Sequence, residues 1–488
     1  MILLRYLPAA PRRHLPENLD PQRPGAILEH ARLLLDENVA TPANLTSWLA
    51  HRAEFEAAVE EGLLVARLEV AEQPSDPLRR AWLEHLHQDL GAALEEMRHR
   101  LDVKVWQAPA RHHLKPDDRR WEAALEARLS LYREHNLALL DRLRELEHAY
   151  LHLCGRLVFP RCGQDCSPAE ARHLLAGPDA VIRRAVWEAR AAHLESLRPD
   201  FEDMMDEVLA LREQVARNAD QPTWNHFRLA RGETFFQRPW NLVPTAVETH
   251  GEPWDIAPRA EAIPPLFGDG PDSMEELADA LSYHAPRLAL MLRHLLVHGL
   301  LERPHKAHLV DVDACFWLPA HGLPLLRLDL VNLDDRLEHL LALVARGRHG
   351  MAAQMGQGRG CLPGLVLWPR AEDLHLARGA VSALLEDVGR VAALAFTRRQ
   401  EVLRKGEQAE CMARELWTNW AHQEPGAGRK ERRRRWLDLQ LRLHPGLVQG
   451  VHQENLADTL FLHTDFFLPD WAPPSRLEGT QASTDDVG

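Results

Sequence analysis

The side chains of this chain that could do chemistry are histidines and carboxylates, and hydrolysis by a zinc-bound water is the reaction to test them against. That reaction needs two histidines one helical turn apart, a glutamate beside the first, and a third ligand from another element. The chain has 28 histidines, but the dipeptide His-Glu occurs nowhere in it. His339 and His349 are ten residues apart, so they do not form a one-turn pair. A G-x-S-x-G element and a phosphate-binding P-loop are also absent from the sequence.

The segment that would position such a site has a strand, turn, strand and helix pattern. Branched and apolar residues predict two strands within 308–331, joined by Pro-Ala-His-Gly, and a helix follows from Asp334 or Asp335. The strands predict a small sheet, and the rest of the chain is mostly helical by pattern. The predicted helices cover 26–38, 43–61, 78–101, 117–157 with a break near 134–136, 179–230 with a break at 198–200, 271–303, 334–355 and 371–422.

The layout of residues 314–354 resembles the active-site region of the thimet-oligopeptidase/oligoendopeptidase F family of zinc metallopeptidases. The resemblance extends over about residues 110–400, through the helical segments 136–160 and 178–236 and the element Glu252-Pro253-Trp254-Asp255. It implies a mainly α fold: a two-lobed helical shell around a deep channel, with a small β-sheet beside the active site. In that family, a zinc-bound water cuts oligopeptides that are held beside an edge strand.

The resemblance also implies that the zinc motif is lost. Aligned with the family's H-E-x-x-H helix, the first histidine is replaced by Ala342, the glutamate by Leu343 and the second histidine by Arg346. None of these side chains binds zinc, and an arginine puts a permanent positive charge in the place of a cation. A shift of three residues would make His349 the second ligand, and Glu372 lies roughly where the third ligand originates. A solvated first-turn glutamate is the other interpretation of Glu372.

The edge strand beside which the family holds its substrate corresponds to the strands predicted within residues 308–331. We expect peptide contacts from Trp317, Arg327 and Asp329. Main-chain pairing along a strand tolerates different peptide sequences. For the aspartates on or beside these strands, an alternative is that exposed charges protect a sheet edge from aggregation.

Composition narrows the range of partners. The formal net charge of −14 argues against a nucleic-acid binder with a broad basic face, and the basic run 429–435 is interpreted as a solvated helix face. No run of about 20 apolar residues predicts a membrane span. Six cysteines in 488 residues favour reduced thiols, and we expect a cytoplasmic protein.

The predicted organisation is an N-terminal helical region (1–110), an oligoendopeptidase-like helical body with a pseudo-active site (111–425), a C-terminal helical segment (426–470) and a disordered tail (471–488). The leading hypothesis is a pseudoenzyme that needs no cofactor and binds a peptide or protein in the inherited channel. Two alternatives remain: an active zinc metalloendopeptidase with a non-canonical site, and a non-catalytic subunit of an active homologue.

Overall fold

The structure is a computed structural model of the 488-residue chain. It describes residues 12–73, 76–114, 122–155, 159–161, 164–166, 171, 174–175, 177, 179–231, 252–255, 266–267, 273–302, 314–328, 333–357, 366–367, 369–444 and 453–468.

The first half of the fold consists of long helices and one short hairpin. The helices are α1 (Pro24–Asp36), α2 (Pro42–Glu72), α3 (Pro77–Gln107), α4 (Glu122–Leu131), α5 (Leu137–Gly155), α6 (Ala180–Asn218) and α7 (Trp224–Ala230). Strands β1 (Phe159–Arg161) and β2 (Gln164–Cys166) pair as an antiparallel hairpin. Short 3-10 helices lie at Pro109–His113, Glu134–Asn136 and Pro253–Asp255.

The second half carries the main sheet and the remaining helices. The helices are α8 (Ser273–His284), α9 (Pro286–Val297), α10 (Leu333–Gln357), α11 (Ala371–Glu386), α12 (Arg390–Gln423), α13 (Arg429–Leu443), α14 (Gln453–Asp458) and α15 (Thr464–Phe467), with a 3-10 helix at Thr459–Leu462. The strands are β3 (Leu301–Glu302), β4 (Ala314–Leu318), β5 (Leu323–Arg327) and β6 (Val366–Leu367). The prediction of a mainly α fold with a small sheet is confirmed.

Helix starts in this chain follow local capping chemistry. The Asp76 side chain accepts a hydrogen bond from the Leu78 backbone N–H at 2.9 Å, and Pro77 occupies the first helical position of α3. Thr41 caps α2 in the same way ahead of Pro42. Such a cap satisfies a free backbone N–H, while proline loses nothing at that position.

The predicted helix break at 134–136 is confirmed, but the one at 198–200 is wrong. Helix α6 runs without interruption from Ala180 to Asn218 through Pro199. A proline inside a helix removes one backbone hydrogen bond. Here Leu197 and Phe201 are buried on either side, and this packing holds the helix together.

The main sheet has the strand order β3-β5-β4-β6. Strands β4 and β5 form an antiparallel hairpin with Trp317 opposite Pro324, and Gly322 takes the positive φ of 70° that the connecting turn needs. The expectation that these two strands form the sheet edge is wrong for the described sheet, because β3 and β6 lie outside them.

Two hydrophobic cores organise the chain. The buried side chains of the N-terminal core lie between Leu15 and Leu125, most of them on α1 to α4. Those of the main core lie between Leu64 and Leu468. Helix α2 contributes to both cores. The predicted division of the chain into four regions, with boundaries at residues 110, 425 and 470, stays a prediction. In the described ranges, no helix combines the length and the apolar character that crossing a membrane requires.

The basic run of α13 is tied to the body of the protein. Arg429 bonds Asp203 at 2.5 Å, Arg432 bonds Asp206, and Arg433 pairs with Asp458 at 2.9 Å. These contacts fix α13 against α6 and α14, so part of the run serves internal packing.

A polar helix pair, α3 with α5, joins the two cores. The rings of His87 and His148 meet with centroids 4.6 Å apart, and His87 Nε2 is buried without a hydrogen-bond partner. Burial, followed by the positive charges of Arg67 and Arg144, lowers the pKa of His87 to about 2 and that of His148 to about 4. Both imidazoles are therefore neutral in the folded protein at neutral pH.

Acidification is expected to weaken the contact between α3 and α5. Between about pH 6.5 and pH 4 the unfolded chain holds protons on these histidines and the folded chain does not, so stability falls as the pH falls. At pH 5 the loss is up to about 2 kcal/mol for each histidine. Urea denaturation at pH 7.5, 6 and 5 should show a steeper loss for the wild type than for the double variant His87→Gln/His148→Gln. The exposed-site control His112→Gln should keep the wild-type slope; equal slopes for all three proteins contradict the prediction.

A single carboxylate connects α2 to the β4–β5 turn. Glu61 Oε2 accepts hydrogen bonds from the backbone N–H groups of Ala320 at 2.9 Å and His321 at 3.2 Å, and Glu61 Oε1 lies 2.5 Å from His321 Nδ1. Glu61 is buried, so these bonds are not shared with bulk water. They hold the turn of the hairpin against the helix that both cores share.

Removing this carboxylate should loosen the hairpin. Glu61→Ala leaves two backbone donors unpaired, and we expect a loss of about 1–3 kcal/mol in the free energy of unfolding. Hydrogen exchange should also be faster at Ala320 and His321. Glu84→Ala, at an exposed position of α3, is the matched control and should change stability by less than about 0.5 kcal/mol. A similar effect from both variants would argue against the connection.

Candidate functional site

Helix α10 is the element on which the candidate site is built. Leu337 and every residue from Leu340 to Ala345 have no exposed surface. This stretch is apolar on all sides, as in a core helix, and α10 lies between the β4–β5 hairpin, α9, α11 and α12. Its close approach to the sheet depends on Gly347, where a Cβ atom would lie 3.0 Å from Pro324 Cγ.

The three positions aligned with the zinc motif lie within or at the end of this buried stretch. Ala342 and Leu343 are fully buried and offer no ligand atom and no base. Arg346 is 8% exposed, and its Nε atom is buried. The buried part of α10 therefore ends in a positive charge.

Arg346 lacks a direct partner in the part of the chain that the structure describes. No hydrogen bond, and no ion pair within 4.0 Å, joins it to a described residue, and its Nε is buried without a hydrogen-bond partner. Burial first, and the charge of Arg370 second, lower the pKa of Arg346 from its ordinary value, while Asp373 acts in the opposite direction. Arginine stays charged despite such a shift, so a cation without a direct hydrogen-bond or ion-pair partner among the described residues lies here.

His349 is held through both ring nitrogens. Its Nδ1 lies 2.5 Å from Asp373 Oδ1, and its Nε2 lies 2.8 Å from Arg348 Nη2. A guanidinium can only donate, so Nε2 is the acceptor and Nδ1–H donates to the carboxylate. This assignment describes a neutral imidazole whose metal-binding lone pair is already engaged by Arg348.

Asp373 is the member of this cluster that sequence reasoning missed. Its side chain has no exposed surface and accepts hydrogen bonds from His349 Nδ1 and, at 2.9 Å, from the backbone N–H of Arg370. The neighbouring Glu372, which was predicted instead, is 62% exposed and lies 3.9 Å from Arg370. Asp373 could have been identified from the sequence by its place in the first turn of α11, where a carboxylate can accept a hydrogen bond from a backbone N–H.

The residues described here do not fit a zinc ion. Zinc needs three or four histidine, cysteine or carboxylate ligands around one point. The described part of the chain contains no group of three or more such side chains with that arrangement. His349 and Asp373 are bonded to each other, and Cys315 on β4 is buried so deeply that the pKa of its thiol is raised. No hydrolytic step is derived from this site.

The predicted peptide-contact residues lie on or beside the hairpin. Trp317 is 2% exposed and Arg327 is also buried, while Asp329 lies outside the described residues. All five residues of β4 are buried, so both faces of this strand are covered. The contacts of these residues with a peptide stay predictions.

Solved structures share the fold of this chain. One is an X-ray structure of a protein assigned as oligoendopeptidase F, with a TM-score of 0.73 and 12% identity over 93% of this chain and 86% of that chain. The chain has the oligoendopeptidase F fold. PZ peptidase A with a bound inhibitor also gives a TM-score of 0.73 at 12% identity, over 94% of this chain and 86% of that chain.

A third structure supports the same fold. A protein of Bacillus anthracis str. Ames, assigned as oligoendopeptidase F, gives a TM-score of 0.67 at 11% identity over 95% of this chain and 87% of that chain. No protein-family model matches the chain, and no curated protein sequence matches it. The similarity is therefore one of architecture, over nearly the full length of both chains.

Proposed function

We propose that this chain is a cytoplasmic member of the oligoendopeptidase F family that binds a peptide or protein without hydrolysing it. The observation that carries the proposal is the end of the buried stretch of α10. Where the family's motif supplies two imidazoles and a carboxylate, this helix offers Ala342, Leu343 and the buried guanidinium of Arg346. A cation ligated there would meet a fixed positive charge.

The rest of the cluster supports binding rather than hydrolysis. A general base must be able to take a proton from a water near the scissile bond. Asp373 is fully buried and accepts hydrogen bonds from His349 Nδ1–H and from the Arg370 backbone N–H, and His349 Nε2 accepts a hydrogen bond from Arg348. Both groups are committed to internal hydrogen bonds, while the fold of an oligoendopeptidase F and of PZ peptidase A is kept over most of the chain.

Elemental analysis and peptide assays test the proposal together. Protein purified without chelator or added metal should hold far less than one zinc per chain by mass spectrometry, and quenched-fluorescent peptides should stay uncut with or without added zinc. Fluorescence anisotropy with labelled peptides of 6 to 12 residues should then show saturable binding. Stoichiometric zinc accompanied by cleavage would overturn the proposal.

A variant on the hairpin tests where the peptide binds. Arg327→Gln should weaken peptide binding by about tenfold, the scale of one charge-assisted hydrogen bond. The control is Arg293→Gln on the exposed face of α9, and circular dichroism checks that both variants fold. An unchanged affinity of the Arg327→Gln variant for the peptide would show that the peptide does not bind at the hairpin. Co-purification with an active homologue, in place of free peptide binding, would favour the subunit role.

A further inference from the structure

Histidines four residues apart occur twice in the sequence, as His148 with His152 and as His294 with His298. On a helix this spacing places two imidazoles one turn apart on the same face, where both can bind one metal ion. Helix α5 carries the first pair, and the second lies at the end of α9. The surroundings of the two pairs differ, and they decide which pair can take an ion.

The α5 pair is blocked by guanidinium groups. Arg80 Nη1 lies 2.8 Å from His152 Nδ1, and because a guanidinium can only donate, it engages the one lone pair of a neutral ring. The positive charges of Arg67 and Arg144 act on His148. A metal ion at this pair would lack a ligand atom and would be repelled by fixed cations.

The α9 pair has no such obstacle. In the part of the chain that the structure describes, no arginine or lysine bonds either ring, and the neighbouring Arg293 pairs with Asp279 of α8 at 2.6 Å. His294 Nε2 is buried without a hydrogen-bond partner among the described residues. Burial first, and His298 second, lower the pKa of His294. Its ring is therefore neutral at pH 7.5, which is the form that binds metals.

The two rings already lie at the separation that a shared ion requires. Their centroids are 4.5 Å apart, and the His298 backbone N–H donates to the His294 carbonyl at 3.1 Å, so the helical turn between them is intact. Zinc–imidazole bonds of about 2.0–2.1 Å put each ring centre about 3.2 Å from the ion. At an angle of about 90–110° at the ion, the two centres lie about 4.5–5.2 Å apart. His294 is partly exposed and His298 is exposed, so an ion can reach the pair from solvent.

We propose that His294 and His298 form a binding site for one divalent transition-metal ion of the class of Ni²⁺, Cu²⁺ and Zn²⁺, for which imidazole is a suitable ligand. Waters complete the coordination, since the described residues hold no group of three or more candidate ligands. Such a site exchanges its ion with solution, unlike a structural zinc site closed by four protein ligands. The ion secures the last turn of α9, directly before the chain enters the main sheet through β3.

Calorimetric titration of metal-free protein with NiCl₂, CuCl₂ and ZnCl₂ at pH 7.5 tests the site. Loss of an outer-shell partner already lowers metal affinity by about 10- to 100-fold, so loss of a ligand in His298→Ala should weaken binding of this one ion by at least about tenfold. Copper(II) should bind most tightly of the three, following the general order of affinities for divalent ions. His298 is exposed, so the variant should fold, and circular dichroism checks this.

The other one-turn pair provides the matched control. His152→Ala breaks a pair of the same spacing and should bind all three ions like the wild type. NiCl₂ should also raise the melting temperature of the wild type and of His152→Ala, because an ion that binds only the folded helix stabilises it. The rise should be smaller in His298→Ala and in the second variant, His294→Gln.

The outcomes separate this site from the proposed peptide-binding function. Equal ion binding by the wild type and His298→Ala, or equal losses in His298→Ala and His152→Ala, would overturn the site. Neither histidine belongs to the α10 cluster, so the titrations decide the site even if no peptide binds. Peptide cleavage that depends on added metal and disappears in His298→Ala would overturn the proposed function and leave the site standing.

Discussion

Asp373→Ala is expected to lower the free energy of unfolding by about 3–5 kcal/mol, the usual result of removing one partner from a buried charged cluster. The carboxylate is fully buried and accepts hydrogen bonds from His349 and from the Arg370 backbone. Its negative charge also offsets that of Arg346. The substitution leaves two donors unpaired and removes a negative charge that acts on the guanidinium of Arg346. Urea denaturation at pH 7.5 measures the loss.

The adjacent residue provides a matched control for this prediction. Glu372→Ala removes a carboxylate of the same helix turn that is largely exposed, and we expect a change within about 0.5 kcal/mol. Asp373→Asn should fall between the two variants, because the amide oxygen still accepts one hydrogen bond. Losses of equal size for Asp373→Ala and Glu372→Ala would mean that Asp373 does not organise the cluster.

Arg346→Met should change stability in the opposite direction. We expect a gain of about 1–3 kcal/mol, since burying an ion without a partner carries a penalty that an apolar side chain of similar length avoids. The lowered pKa of Arg346 has the same cause, namely burial and the repulsion of Arg370. Chemical denaturation measures the gain, and Arg434→Met on the exposed surface of α13 is the control.

A double-mutant cycle connects the two predictions. In the Arg346→Met background, Asp373→Ala should cost about 1–2 kcal/mol less than in the wild type, because the guanidinium that needed the carboxylate is gone. Strict additivity would show that the two side chains do not interact. Destabilisation by Arg346→Met would instead show that the charge of the guanidinium is compensated in the folded protein.

Much of the fold could be predicted from local patterns. Proline and capping residues before α2 and α3 fixed where those helices begin, and turn residues separated β4 from β5. Pro199 misled the prediction because its local effect opposes a helix, whereas the packing of Leu197 and Phe201 depends on residues far away in the sequence. Tertiary contacts therefore outweighed a local preference.

The candidate site was predicted only in part. Alignment with the family pattern identified Ala342, Leu343 and Arg346, and the described structure places them at the buried centre of α10. The choice between Glu372 and Asp373 could not be made in the same way. Both carboxylates lie in the first turn of α11, and only the packing of α11 on α10 decides which one faces His349.

The face of Trp317 was also beyond sequence reasoning. Alternating patterns predict an inner and an outer face only where one side of a strand meets water. All five positions of β4 are buried, so alternation carries no information there. The sequence of β4, Ala-Cys-Phe-Trp-Leu, is consistent with burial on both faces, since none of its residues carries a charge.

The apolar stretch from Leu340 to Ala345 has an evolutionary consequence. A glutamate introduced alone at Leu343 would place a carboxylate at a position with no exposed surface, at a penalty of several kcal/mol before any metal could compensate it. A histidine at Ala342 would in addition have to fit where only a methyl group now fits. Each of these single substitutions is therefore expected to cost stability, so neither could be tolerated without a compensating change in the packing around α10.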